Sequence, residues 1–500
     1  MIVRNQLERQ DRQRLQWTFW IIVFLIVYLP LEDFILKWLP LPNSILSGFR
    51  LLPELVCYLL FFRLLYQICT RRRPLKITSI EVLFICFLMW AGFLIIISIL
   101  LFNASLFGGV SSLRTLIRFV SVYYLVVNLE LSEANISLIL QTIIGVGALE
   151  GLIATAQYFG GSPIKKIFEV TSLKLELKAQ EGNLSPALLG VGKVGSSSGT
   201  FTDSSVFALF FLIPVILVVT WTIYRTYLHP KSHYFLLPNW KEILFLCLIY
   251  FGIFSTYKRA VLLISFALPI LVLFYFGRTK ISVWLAFLYG TLFLVLFWGI
   301  IVFNFNPSPT SSGASVRREK KDIRAYVIEL FTPEYWNRSS EGSRLFFMKI
   351  SCGNVLGSNY WYGLGPDENT TVEQLIKLTH GTRDKGQFQE TSLYFKDAYW
   401  CAMISFYGVP GTLIYLLIIY QLYRSSLAVS ENASEVVEKL LGVSASIIIL
   451  LYAIYSLAEQ LPEVRVSSFY FWTIAGLVVN VRHKQKIKTI KVLLEKNQSY

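Results

Sequence analysis

Apolar runs of span length alternate with short polar segments along most of the chain, a rhythm that predicts helices crossing a membrane. The first runs cover Trp17–Leu36, Leu51–Cys69, Ile80–Phe102, Val110–Leu129 and Ile136–Phe159. After a Gly-, Ser- and Lys-rich segment come Phe201–Arg225, Ile243–Ser255, Ala260–Phe276 and Val283–Phe303. Asp397–Leu422, Leu440–Leu457 and Phe469–Val481 close the set, so about twelve spans are expected. One long hydrophilic stretch, 305–396, breaks the alternation. The chain therefore divides into a polar tail (1–16), spans one to nine (17–304), a large loop (305–396), spans ten to twelve (397–481) and a basic tail (482–500). The expected fold class is an all-α polytopic integral membrane protein with one large extracytoplasmic loop.

Charge orients these spans. Arg4, Arg9, Arg12 and Arg14 precede the first, Arg71, Arg72 and Arg73 follow the second, and Arg278 and Lys280 follow the eighth. Under the positive-inside rule these clusters share one side, which puts both termini in the cytoplasm and the large loop outside the cytoplasmic membrane. The net charge of +15 would suit nucleic acid, but the Lys and Arg residues are distributed among short loops between spans. No nucleic-acid partner is expected. A chain 55% hydrophobic and 15% charged is also excluded from the ordinary soluble globules. The first apolar run lacks a small-residue cleavage pattern and is expected to stay as a signal anchor. The segment 482–496 reads as a basic amphipathic helix on an anionic inner leaflet, or as a solvated helix.

Five of the six cysteines fall in apolar spans and Cys352 stands alone in the loop, so the spacing supports neither a zinc site nor a disulfide framework. Neither metal nor cofactor is expected. Walker, GxGxxG, HExxH and GxSxG patterns are missing from supporting contexts, which removes the usual signs of ATP-driven transport, zinc proteolysis and serine hydrolysis.

A charged side chain at the centre of a spanning helix costs about 2.5–3.5 kcal/mol on insertion scales, so each needs a reason. Glu150, near the middle of span five, is either a cavity-lining polar or proton-handling group, or a hydrogen-bonding anchor to a neighbour. Arg114 and Arg118 lie one turn apart in span four and either bind an anionic headgroup or snorkel to the interface. Arg259, in the turn between spans seven and eight, and Arg344, at an expected helix start in the loop, carry planar guanidinium forks suited to phosphate oxygens. Together they would clamp a diphosphate. Asp397 opens span ten, where the helix dipole explains an acid and general-base catalysis is the sharper reading. His380, in a charged part of the loop, is the alternative base.

Four separated segments resemble the O-antigen polymerase and ligase superfamily of polytopic glycosyltransferases. They are Gly199-Thr-Phe-Thr-Asp203 onward to Ala208, Ser255 to Ala260 around Arg259, Gly342-Ser-Arg344-Leu with Gly363-Leu-Gly365, and Asp397 to Gly411. The resemblance implies a GT-C-like membrane fold and metal-independent transfer of a glycan from a polyprenyl-diphosphate carrier on the outer side of the membrane. It also implies arginines around the diphosphate, which fall on Arg259 and Arg344. Asp203 joins Glu150 as a polar cavity residue, and Gly363 and Gly365 are the loop glycines. The helix after the loop often begins His-Asn in ligases and Asp-Asn in many polymerases; Asp397-Ala398 favours a polymerase. The partners so implied are a polyprenyl-diphosphate-linked oligosaccharide, membrane lipids and polysaccharide-assembly proteins. Three other readings stay open: a polysaccharide flippase or transporter, a protein O-oligosaccharyltransferase of the same superfamily, and a structural scaffold. No paired internal halves of the kind common in transporters are visible.

Overall fold

The computed structural model describes residues 2–39, 42–70, 78–168, 197–201, 204–225, 240–256, 258–277, 344–380, 382–391, 395–396, 398–457 and 459–498. Every described element is helical, and there is no strand among the described residues. The first part of the chain forms α1 (Ile2–Lys37), α2 (Asn43–Cys69), α3 (Ser79–Phe102), α4 (Leu106–Ile117), α5 (Val120–Asn128) and α6 (Glu133–Phe168). Next come α7 (Ser204–Ile223), α8 (Trp240–Ser255) and α9 (Arg259–Tyr275). The loop contributes α10 (Arg344–Met348), a π-helical turn (Lys349–Gly353), α11 (Asn354–Leu356), α12 (Glu368–Leu378) and α13 (Thr382–Thr391). The chain closes with α14 (Tyr399–Glu431), α15 (Val436–Tyr455), a 3-10 turn (Leu461–Glu463) and α16 (Arg465–Gln498).

Seven of these helices are long and apolar enough to cross a membrane, or eight if the bent pair α4–α5 is one span. This is the architecture of a multi-pass membrane protein, since a helix satisfies its own backbone groups where no water can. Span four, expected as one run, is instead two helices meeting at 42°, with Arg118 and Phe119 at the bend. Helices α8 and α9 cover the expected spans seven and eight, and the ninth, Val283–Phe303, lies outside the described residues.

Burial sorts the bundle into centre and rim. In α7, 83% of the most apolar stretch is buried, against 22% in α2, so α7 is central and α2 peripheral. Phe210 of α7 packs on Tyr470 of α16, and Phe207 and Phe211, buried beside it, meet edge to face with ring centres 4.7 Å apart. Lipid is as apolar as leucine, so close packing rather than burial from water must hold such helices together. Small residues permit it: a Cβ on Gly252 of α8 would lie 2.5 Å from the Phe211 ring and 3.1 Å from the Gly151 Cα of α6. At the other end of the bundle, the buried Asn480 amide reaches the carbonyls of Val126, Val127 and Leu129, where α5 ends and has no further helical donors. The tail expected over 482–496 is helical, but it is the C-terminal part of α16 rather than a helix of its own.

One expectation is corrected outright. Cys352, in the loop, and Cys401, in the first turn of α14, form a disulfide with their Cα atoms 5.3 Å apart. Motif spacing detects local pairs, whereas this one closes a separation of 49 residues and needed the folded loop to become visible.

Candidate functional site at the loop end of the bundle

Helix α14 is broken. Gly408 has φ 66° and ψ −177°, outside the helical region, and Pro410 follows with no N–H. The carbonyls of Ser405, Phe406 and Tyr407 therefore lose their usual donors four residues on. The loop supplies two replacements: Leu364 N–H donates to Ser405 O (2.8 Å) and Gly365 N–H to Phe406 O (3.1 Å). The Trp90 indole of α3 donates to Tyr407 O at 2.7 Å. In return Val409 N–H donates to Trp361 O at 2.9 Å. A strap of loop backbone, Trp361 to Gly365, thus repairs the break in a spanning helix, as irregular backbone inside a bundle requires.

This contact explains the loop glycines. Gly363 has φ 108°, and a Cβ there would lie 2.6 Å from the Gly408 nitrogen. No other residue fits. Gly363 and Gly365 are brought against α14, so their part in any site is to hold loop and helix together. Asp367, just beyond the strap, accepts from Ser105 N–H at 3.1 Å and fixes the loop to the start of α4.

A second segment, Ser197 to Phe201, enters beside α6. The Glu150 carboxyl, fully buried, meets the Thr200 hydroxyl at 2.5 Å and the Thr200 N–H at 3.3 Å. Gln157, almost two turns later, accepts from Gly199 N–H at 2.9 Å and donates to Gly199 O at 2.8 Å. Ser197 N–H donates to Ser255 O at 2.9 Å, which brings the backbone just before the first family-like segment to the start of the second. Of the two readings of Glu150, the hydrogen-bonding anchor is the one the contacts describe. Its neighbour is this segment rather than a helix.

Between these two segments lies a cluster of charges. Arg465, the first residue of α16, donates to Glu32 of α1 at 2.5 Å and to the Arg50 carbonyl. Arg50 itself pairs with Asp33 at 2.5 Å. Three guanidinium groups then converge on one buried carboxylate, Glu54 of α2: Arg465 at 3.7 Å, Arg118 at 3.8 Å and Arg114 at 3.9 Å. None of these three approaches is a hydrogen bond. Buried Glu32 Oε1, Glu54 Oε2, Arg114 Nε and Arg465 Nε have no hydrogen-bond partner. Arg118 is buried at the bend, while the Arg114 side chain is 42% exposed and opens the cluster to its surroundings. With Glu32 and Glu54 against three arginines, the core of the cluster carries a net charge of +1.

Lys396 extends this polar zone toward α14. It pairs with Glu368 at 2.7 Å and with Glu463, two residues before Arg465, at 3.4 Å. Burial alone would weaken the ammonium, but Glu463 and Glu368 outweigh it and hold the pKa above the ordinary lysine value.

The expected site residues are thus distributed unevenly. Arg118 joins the Glu54 cluster, and Glu150, Gly363 and Gly365 hold backbone segments. His380 is exposed after α12, and no described contact brings it to the cluster. Arg259 and Arg344 begin α9 and α10; their side chains, with Asp203 and Asp397, lie outside the described residues. Among the described residues no group of three or more His, Cys, Asp or Glu side chains could hold a metal. Glu32, Glu54, Arg465 and Lys396 escaped the sequence reading. The cost of a charge within a span was the available signal, and Glu54, after Pro53 inside span two, carries it. A scan against protein-family models finds no match to the chain, and no curated protein matches it.

Proposed function

We propose that this protein is a membrane glycosyltransferase that extends or transfers a polyprenyl-diphosphate-linked oligosaccharide on the outer side of the cytoplasmic membrane, with polymerisation preferred over ligation. The observation that carries this reading is the convergence of Arg114, Arg118 and Arg465 on Glu54, with guanidinium nitrogens left unfilled and one side open. Arg465 already donates to Glu32 and Arg118 to the Thr115 carbonyl. A buried guanidinium nitrogen without an acceptor, as at Arg114 Nε and Arg465 Nε, is nonetheless costly, and the oxygens of an anionic headgroup would fill it. The sequence resemblance supports the rest. Two of its segments, the loop strap and the first part of α14, are hydrogen-bonded to each other, and Ser197, just before the first segment, meets Ser255 at the start of the second.

In this proposal the carrier tail lies between helices and the diphosphate meets Arg259 and Arg344, with Arg118 and Arg465 behind them. An acceptor hydroxyl oxygen bonds to the anomeric carbon as the bond from that carbon to the diphosphate oxygen breaks. Asp397 takes the hydroxyl proton, and the arginines stabilise the charge left on the departing carrier diphosphate. The proposal includes twelve spans, cytoplasmic termini and an extracytoplasmic loop over 305–396.

Purified protein given a lipid-diphosphate oligosaccharide should release carrier diphosphate and lengthen the glycan. Arg259→Ala and Arg344→Ala should each abolish the product while the protein still inserts. Movement of intact carrier across the bilayer with no new glycosidic bond would overturn the enzyme in favour of a transporter.

A further inference from the structure

The disulfide carries information about orientation that the count of spans does not. Counting sides requires every crossing, and Val283–Phe303 lies outside the described residues. Cys352 and Cys401 need no count. They lie where the loop docks on the first turn of α14, and two thiols in that position become a stable disulfide only in an oxidising compartment. The remaining cysteines, Cys57, Cys69, Cys86 and Cys247, are free. Cys69 is exposed at the far end of α2, about 22 Å along the helix axis from Glu54 and the loop-end cluster.

We propose that Cys352 and Cys401 are the substrate of a dithiol-oxidising protein that meets this chain on its loop side, and that their bond fixes the bundle with the loop end toward the oxidising compartment and Cys69 toward the reducing one. The half-buried Cys352 is the more accessible of the pair, and Cys401 is buried. The Cys352 thiolate attacks a disulfide of the oxidant and forms a mixed disulfide, expelling one oxidant thiolate. Cys401, losing its proton, then attacks the Cys352 sulfur and releases the second. The two protons and two electrons lost by the cysteines leave with the oxidant, now a dithiol. The bond joins the π-helical turn to α14 beside a buried ring cluster, in which Phe347 meets Phe388 and Phe388 meets Phe395. It therefore staples an apolar contact already formed by packing. This inference does not rest on glycan transfer, which is read by a different product.

Full-length protein in its native membranes tests the proposal through its thiols. Denatured without reductant, the chain should take four mass-tagged maleimides, and after reduction six. In intact cells an impermeant reductant followed by an impermeant maleimide should tag Cys352, whereas Cys69 should react only after permeabilisation. Six tags before reduction would overturn the bond. Four tags, with Cys352 reached only after permeabilisation, would overturn the orientation. Cys352→Ser should give five tags with or without reductant, and the wild-type count stands even if that variant fails to accumulate.

Discussion

The segments Ser197–Phe201 and Trp361–Gly365 both bring non-helical backbone against spanning helices, and the two are held by different means. Beside α6 the helix stays intact and lends side chains, Glu150 and Gln157, that mimic a backbone partner. Beside α14 the helix itself opens at Gly408, and backbone pairs with backbone. The first arrangement depends on what the Glu150 and Gln157 side chains carry as well as on one glycine, Gly199, whose Cβ would lie 2.4 Å from the Phe207 ring; the second depends on glycine on both sides of the contact. Replacements that keep hydrogen-bonding groups should therefore be tolerated at Glu150 and Gln157, and none that adds a Cβ should be tolerated at Gly363 or Gly408.

The largest effect is expected at the break. Gly408→Val places branched carbons against the Tyr362 carbonyl at a positive φ, and should cost more than about 4 kcal/mol. Gly161→Ala is the control, because Gly161 has a similar φ of 62° with open space around it, and should cost only the dihedral strain, about 1–3 kcal/mol. Thermal midpoints in detergent report both. Equal losses would mean that dihedral strain, not the strap, sets the requirement.

Arg465→Met comes next. It leaves Glu32 without its hydrogen-bonded partner and Glu54 with one fewer arginine, a buried imbalance expected to cost about 3–5 kcal/mol. Replacing Glu32 by Gln in the same chain should recover part of that loss, as the carboxylate left without its partner is then neutral. No recovery would separate the two residues energetically.

Glu150→Ala should cost about 2–3 kcal/mol by orphaning the Thr200 N–H. Glu150→Gln should stay within about 1 kcal/mol, since an amide can accept from Thr200 N–H and donate to its hydroxyl while that hydroxyl donates to the Pro30 carbonyl at 3.0 Å. Full activity in the Gln variant fits an anchor. Activity lost with stability kept would restore the proton-handling role.

The smallest effect is that of pH on the loop contact at Lys396. Because Glu463 and Glu368 raise its pKa, the stabilisation is fully present below the ordinary lysine value and is lost as pH rises through the higher value in the folded protein. Protease resistance of the loop should be level from about pH 6 to about pH 9 and decline above about pH 10.5, with about 1 kcal/mol at stake. Lys396→Met should remove the alkaline decline attributable to this group.

The apolar runs alone were sufficient to place α1, α2, α3, α6, α7, α14 and α15, because a spanning helix must be both long and apolar wherever it packs. The turn between α8 and α9 and the helix start at Arg344 were legible for the same local reasons. Glu150 was legible as a residue needing a partner, although the partner was not. The rest depended on segments far apart in the chain. Gly408 and Pro410 announce a break, but nothing in their neighbourhood names Leu364 and Gly365 as its repair. Hydropathy weighs Glu54 as a cost and is silent on the three arginines around it, which arrive from α4, from the bend before α5 and from the first turn of α16. Cys352 and Cys401 look unrelated until the loop folds back. Local composition decided which stretches are helices, because backbone hydrogen bonds and lipid contact are local demands; which polar groups meet was decided by the tertiary structure, because a buried charge or an open carbonyl takes whatever partner the packing brings within reach.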